Sequence, residues 1–161
     1  MSAVSGGKPG ARVRRAGEGD AAEVGRLLDD FNREFGDATP GPRVLASRVR
    51  ELLAGGDTAV LLAGEGPDGL ALLRFRPGLW SAGLECHLAE LYVVPELRGL
   101  GIGRALLEAS MELARERGAA HIDLGTSVDD LAARALYESA GFTNREGPPD
   151  GPSMLYYERE L

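Results

Sequence analysis

The chain has 161 residues, enough for one compact domain with a sizeable core, and its 43% hydrophobic and 27% charged content is that of a globular protein rather than a disordered or fibrous one. A formal net charge of −7 and a sequence pI near 4.9 argue against binding nucleic acid or anionic membranes, and suit a cationic substrate as well as plain solubility. The single cysteine, Cys86, rules out a disulfide within the chain and any multi-cysteine metal site, and no apolar run is long enough to span a bilayer.

Residues 1–11 read as a loose tail without the apolar centre of a signal peptide, so the expected location is cytoplasmic. "RVRRA", from Arg12 to Ala16, is a short edge strand. A helix follows, with Asp20 as its N-cap and Val24, Leu27, Leu28, Phe31 and Phe35 at helical spacing. After the turn "DATPGP", "RVLASRVRELLAGG" makes a second helix ending near Gly55. "TAVLLAGE" and "GLALLRFRPGLW", joined through "GPDG", form a hairpin, and "LECHLAELYVVP" is a strand stopped by Pro95. A helix then runs to about Gly118, and "AAHIDLGTS" alternates as a half-buried strand. "DDLAARALYESAG" is a helix stopped by Gly141, and "GFTNREG" and "SMLYYEREL" read as two closing strands around "GPPDGP". The order gives a mixed α/β fold built on one sheet, with residues 12–161 as a single domain.

Between the strand that ends at Pro95 and the next helix lies "RGLGIG". Gly99, Gly101 and Gly103 leave amide N–H groups without side chains over them, at the start of a helix whose first N–H groups are also unpaired. Such a turn suits an anion, because free N–H groups and the positive end of the helix dipole point outward together. Arg98 and Arg104 flank it and can add charge-assisted bonds to phosphate oxygens. The plain alternative is a tight turn that binds nothing. The spacing fits neither the G-x-G-x-x-G dinucleotide fingerprint nor the Gly-Lys-Ser/Thr phosphate loop of ATPases.

"LYVVPELRGLGIGRALL", with Arg98, Gly101 and Gly103, and "DLAARALYESAGF" together resemble the GNAT superfamily of acetyl-CoA-dependent N-acetyltransferases. The order of elements from Arg12 onward is similar as well. The resemblance implies a central, mostly antiparallel twisted sheet splayed into a V and flanked by about four helices, with acetyl-CoA in the opening. It implies that the pyrophosphate rests on the amides of Arg98, Gly99, Leu100, Gly101, Ile102, Gly103 and Arg104. The pantetheine arm would bond strand backbone at Leu91, Tyr92 and Val93, as an added strand does. It further implies direct attack without an acyl-enzyme, no metal, and dimerisation as a recurrent feature.

Transfer of an acyl group from a thioester to an amine requires a base for the amine, donors for the oxyanion and a proton for the thiolate. The resemblance assigns the acid to Tyr137, with Asp130 and Ala133 on the same helical face toward the cofactor. Asparagine is commoner in the family at the position of Asp130, and an aspartate can accept from a pantetheine amide but not donate. Glu90, on the strand near the expected thioester, is the candidate base, and His87 and Glu85 remain alternatives. In a regular strand Glu90, Tyr92 and Val94 share one face while Glu85, His87, Ala89 and Leu91 share the other, and a bulge would exchange these sets. The oxyanion donor is expected to be a backbone N–H near Val93. Cys86 reads as a small buried hydrophobe, and His121 shows no ligand spacing with His87.

In the family the acceptor pocket is built from the first helical region, the loop after it and the last strands. Those segments hold Asp29, Asp30, Phe31, Glu34, Phe35, Asp37, Trp80, Glu146, Asp150, Tyr156 and Tyr157. Of these, Phe31, Asp30, Trp80 and Tyr156 are the candidate acceptor residues. Carboxylates among aromatics suit an aminoglycoside-like compound or a polyamine, or an exposed lysine or N-terminal amine. A solvated acidic helix face is the plainer account of any one of them. A non-catalytic acyl-CoA-binding module is the competing reading, and the presence of Tyr137 and Glu90 favours the enzyme.

Overall fold

A computed structural model describes residues 11–161, so residues 1–10 of the expected tail lie outside the described residues. It contains strands β1 (Val13–Arg15), β2 (Thr58–Ala63), β3 (Gly69–Pro77), β4 (Leu84–Val93) and β5 (Ala119–Asp123). The helices are α1 (Ala21–Glu34), α2 (Pro42–Gly55), α3 (Ile102–Glu116) and α4 (Leu131–Ser139). Two compact units result, one extending to Leu124 and one from Gly125 to Leu161.

In the first unit the five strands lie in sequence order, antiparallel from β1 to β4, with β5 parallel to β4. β2 is buried on both faces, as "AVLLA" requires of a central strand. Val60, Leu62, Leu70, Leu72 and Tyr92 pack against Ala21, Val24 and Leu27 of α1 and Ala46 and Val49 of α2. The alternate residues Leu61, Ala71, Leu73, Cys86 and Leu88 are buried as well, and Leu106 of α3 reaches beside Gly69 of that set. Gly25 sits where α1 and α2 cross, and a Cβ there would lie 2.5 Å from the Pro42 carbonyl oxygen.

Asp20 stands at the N-cap position of α1 and also ends a 3₁₀ turn. Its carboxylate accepts from the Gly17 N–H and from both Nη atoms of Arg14, so no side-chain cap bond forms on α1.

In the second unit, α4 and its stop at Gly141 (φ 91°) follow the sequence expectation. The two closing strands do not form. Only an Arg145–Ser153 bridge is present, supported by the bonds from Met154 N–H to Asn144 O and from Glu146 N–H to Pro152 O. Pro148, Pro149 and Pro152 remove three backbone donors from this stretch, which limits any ladder. Residues 154–161 are β-prone by composition, yet the sheet ends at β5. Propensity without a packed neighbour does not make a strand.

Candidate active site

β4 supplies the centre of the site through a break in its register. Leu72 pairs with Glu90 while Leu73 pairs with Leu88, so Ala89 is an extra residue. Paired residues point to the same face. Glu85 and His87 therefore stand with Arg76 and Arg74, and after the bulge Glu90 and Tyr92 stand with Leu72 and Leu70, on the face covered by α1 and α2. The bulge thus brings Glu85, His87, Glu90 and Tyr92 to one face, where regular alternation would have separated Glu90 from His87.

The second feature is an open edge. β5 pairs with β4 from Leu84 to His87 and goes no further, so among the described residues β4 has no strand neighbour on that side from Leu88 to Val93. The Val94 N–H donates to Asp68 O beside β3, so by alternation the N–H and C=O of Val93 point to the open edge. Here the sheet has the splay that the sequence resemblance implied, and Leu91, Tyr92 and Val93 line it.

The edge leads into the glycine loop. Gly99 and Gly101 have φ of 78° and 88°, in the left-handed region, and a Cβ at either would meet no atom within 4 Å. α3 begins at Ile102 with no side-chain cap at its N-terminus. Bare backbone, open space over it and the positive end of a helix form a cradle that fits the diphosphate of acetyl-CoA. The Arg98 guanidinium is committed elsewhere. It donates to Val93 O (2.9 Å) and to Glu34 Oε2 (2.6 Å), tying the loop to the strand end and to α1.

The other candidates divide by position. Phe31 packs its ring 5.0 Å from that of Tyr92 and edge-on to Phe35, beside the β4 face. Asp30 lies exposed and pairs with Arg26. Asp29 is buried and structural: Thr39 Oγ1 and Arg33 Nε both donate to it at 2.7 Å, which pins the α1–α2 connection. Trp80 is 93% exposed in the β3–β4 turn. Its turn joins β4 at Leu84, and Glu90 stands six residues further along the strand. In the second unit, Asp130 caps α4 by accepting from the Ala133 N–H (3.0 Å), so it lies outside the helix rather than on its face. The half-buried Tyr137 stacks obliquely on Phe142 with ring centroids 6.1 Å apart, and Tyr156 is exposed.

Burial raises the pKa of Glu90, against a smaller opposing effect of His87, and burial raises that of Tyr137, with Asp130 adding to it. Burial also pushes the Cys86 thiol up to about 11, so it stays protonated and inert at neutral pH. Two relevant contacts were not foreseen in the sequence. One is the Glu34–Arg98 pair. The other joins His87 Nδ1 to Asp123 Oδ1 at 2.5 Å across the last paired position of β4 and β5. No cluster of metal-binding side chains occurs among the described residues, and no helix there is long and apolar enough to cross a membrane.

Fold, splayed edge and glycine loop define an acyl-CoA-dependent transferase, and comparison with known proteins identifies the kind. The profile of the Acetyltransferase (GNAT) family matches residues 25–142, and the chain belongs to that family and is an acetyltransferase. A crystal structure of a provisionally assigned acetyltransferase from Arthrobacter sp. FB24 is 51% identical, with a TM-score of 0.87 over 98% of this chain and 100% of that one. An N-acetyltransferase of Bacillus subtilis, YhfO, is 29% identical over 84% of this chain and 91% of its own length. The mycothiol acetyltransferase of Kocuria rhizophila is 43% identical over 74% of this chain, which spans 37% of that enzyme's length.

Proposed function

We propose that the protein transfers an acetyl group from acetyl-CoA to a primary amine by direct attack within a ternary complex, and that the acceptor is a small cationic or polar amine of the polyamine or aminoglycoside-like class. The reading treats residues 12–161 as one catalytic domain. The β4 bulge carries it. By turning Glu90 to the face of His87 and Glu85 beside an open strand edge, it sets a carboxylate of raised pKa where a thioester on that edge would meet an amine. Glu90 supplies negative charge there for an ammonium, in keeping with the net charge of −7.

Acetyl-CoA supplies the activated acyl group. The amides of Gly99 to Arg104 hold the diphosphate and the Leu91–Val93 edge holds the arm. Glu90 takes the ammonium proton, an N–H near Val93 receives the developing oxyanion, and Tyr137, whose phenol is protonated beforehand, gives its proton to the thiolate and is restored by the second proton that the acetylated nitrogen gives up. Titration calorimetry with acetyl-CoA tests the first step, with a Gly101→Glu variant that puts a carboxylate over the cradle. Thiol release with a panel of polyamines, aminoglycosides and peptide amines tests the second. Absence of acetyl-CoA binding by the wild type refutes the proposal; turnover confined to peptide amines refutes the acceptor class.

A further inference from the structure

We propose that Asp123 is a positioning residue for His87, fixing the imidazole in the tautomer whose Nε2 accepts the proton that acetyl transfer releases. The inference rests on the acetyltransfer reading and assigns a role to a residue outside the family motifs quoted above.

An ionised carboxylate can only accept a hydrogen bond, so the 2.5 Å contact requires the hydrogen on Nδ1 of a neutral His87. Nε2 then carries the lone pair. Position gives this consequence. His87 and Asp123 are the last partners of the parallel β4–β5 pairing, so the couple closes the apex of the splay and the open edge starts at the next residue. The bulge places Glu90 after His87 on the same face. The two are electrostatically in reach, since a protonated His87 opposes the effect of burial on Glu90.

Exposure divides the work between them. Glu90 is partly buried and suited to meet the amine, but each turnover must return its proton to water. His87 is 51% exposed and opens to solvent. The proton passes from the substrate ammonium to the Glu90 carboxylate, from Glu90 through water to His87 Nε2, and from there to bulk solvent, leaving both side chains in their starting forms. The other charged groups on this face are accounted for. Arg76 Nε binds Glu85 Oε2 at 2.7 Å, and Arg74 is the register partner of His87 on β3. His121, the register partner of Glu85, sits two residues before Asp123 on β5.

The test compares Asp123→Asn with Asp123→Ala, both as full-length protein. An asparagine can offer its amide N–H to Nδ1 and stabilise the reverse tautomer, whereas alanine only removes the constraint. Asp123→Asn is expected to lower kcat by ~10²-fold, within the range of a general-base contribution, with KM for acetyl-CoA unchanged. Asp123→Ala should lower it less, and adding His87→Gln to Asp123→Asn should cause little further loss. Long-range ¹H–¹⁵N NMR of the histidines gives an independent readout: Nδ1–H in the wild type and Nε2–H in Asp123→Asn. A wild-type His87 in the Nε2–H form overturns the proposal, as does an Asp123→Asn enzyme with wild-type kcat. If the wild type binds acetyl-CoA yet acetylates no amine, the acetyltransfer reading fails and the dyad with it. A defect confined to the variants leaves that reading standing.

Discussion

Replacing Gly101 by alanine separates the two demands made on this glycine. Its φ of 88° and ψ of 5° are left-handed, and an L-residue there is strained by ~1–2 kcal/mol. The added Cβ meets no protein atom within 4 Å, so packing contributes nothing to the loss. Unliganded Gly101→Ala should therefore melt roughly 2–8 °C below the wild type, at about 2–4 °C per kcal/mol for a chain of this size. Gly118, just beyond α3, has a φ of 79° and equally open space, so Gly118→Ala should show the same drop. The two differ once acetyl-CoA is present. At 100 times Kd the ligand stabilises the wild type by ~2.7 kcal/mol. A methyl group over the cradle that breaks one charge-assisted bond to the diphosphate removes about 1.4–2.7 kcal/mol of affinity, some 10- to 100-fold. At the same ligand concentration the stabilisation then falls to ~0.4–1.4 kcal/mol, while Gly118→Ala keeps it in full. Differential scanning fluorimetry with and without acetyl-CoA measures both effects. Equal ligand-induced shifts in the two variants would refute the cradle and leave the loop as a turn only.

Three further outcomes follow from the geometry. A base must be ionised to act, and burial raises the pKa of Glu90, so kcat/KM should fall with acidification through a limb above the usual glutamate range near ~4.3. Glu90→Gln should erase that limb and lower kcat by ~10²-fold or more, and a pH–rate profile checks both. Tyr137→Phe should slow thiol release without weakening acetyl-CoA binding, and unchanged turnover would remove the tyrosine from the mechanism. Asp29 is held below its ordinary pKa by bonds from Thr39 and Arg33. A depressed pKa stabilises the fold above the unfolded value and ceases to do so as pH drops through the folded one. Urea melts should thus find Asp29→Asn less stable than the wild type at neutral pH, with the gap closing below about pH 4.

Much of the fold was legible because its signals are local. The two helical stripes, the "GPDG" turn, Pro95 and the glycines that end α3 and α4 each act within a few residues, and the elements appear where they point. The closing strands failed for a complementary reason. "SMLYYEREL" has strand composition, but a strand exists only through a neighbour, and three prolines on its approach limit the only ladder it joins. Asp20 takes the N-cap position of α1 but makes no cap bond there. Its type suits a cap, but Arg14 on β1 competes for the carboxylate, and nothing in the local pattern around Asp20 shows that Arg14 is near.

The site was legible in its parts but not in its arrangement. The glycine loop announces itself, because only glycine accepts those dihedral angles and only bare backbone leaves that space. Which carboxylate stands on the proposed catalytic face depends instead on a single extra residue. Without the bulge Glu90 and His87 face opposite ways, and with it they share a face, although the sequence of β4 is the same in both cases. The decision lies in the pairing with β3: Leu72 and Leu73 must keep their opposite cores, and inserting Ala89 lets Leu88 and Tyr92 do the same on their own strand. The proposed catalytic face is therefore fixed by hydrophobic demands on the residues that pack around it. The same holds for Asp123, which reaches His87 only through the register of a parallel pair formed by strands far apart in sequence. It follows that mutations of Leu72 or Leu88 that allow β4 to pair regularly should abolish activity while every polar residue of the proposed site is retained.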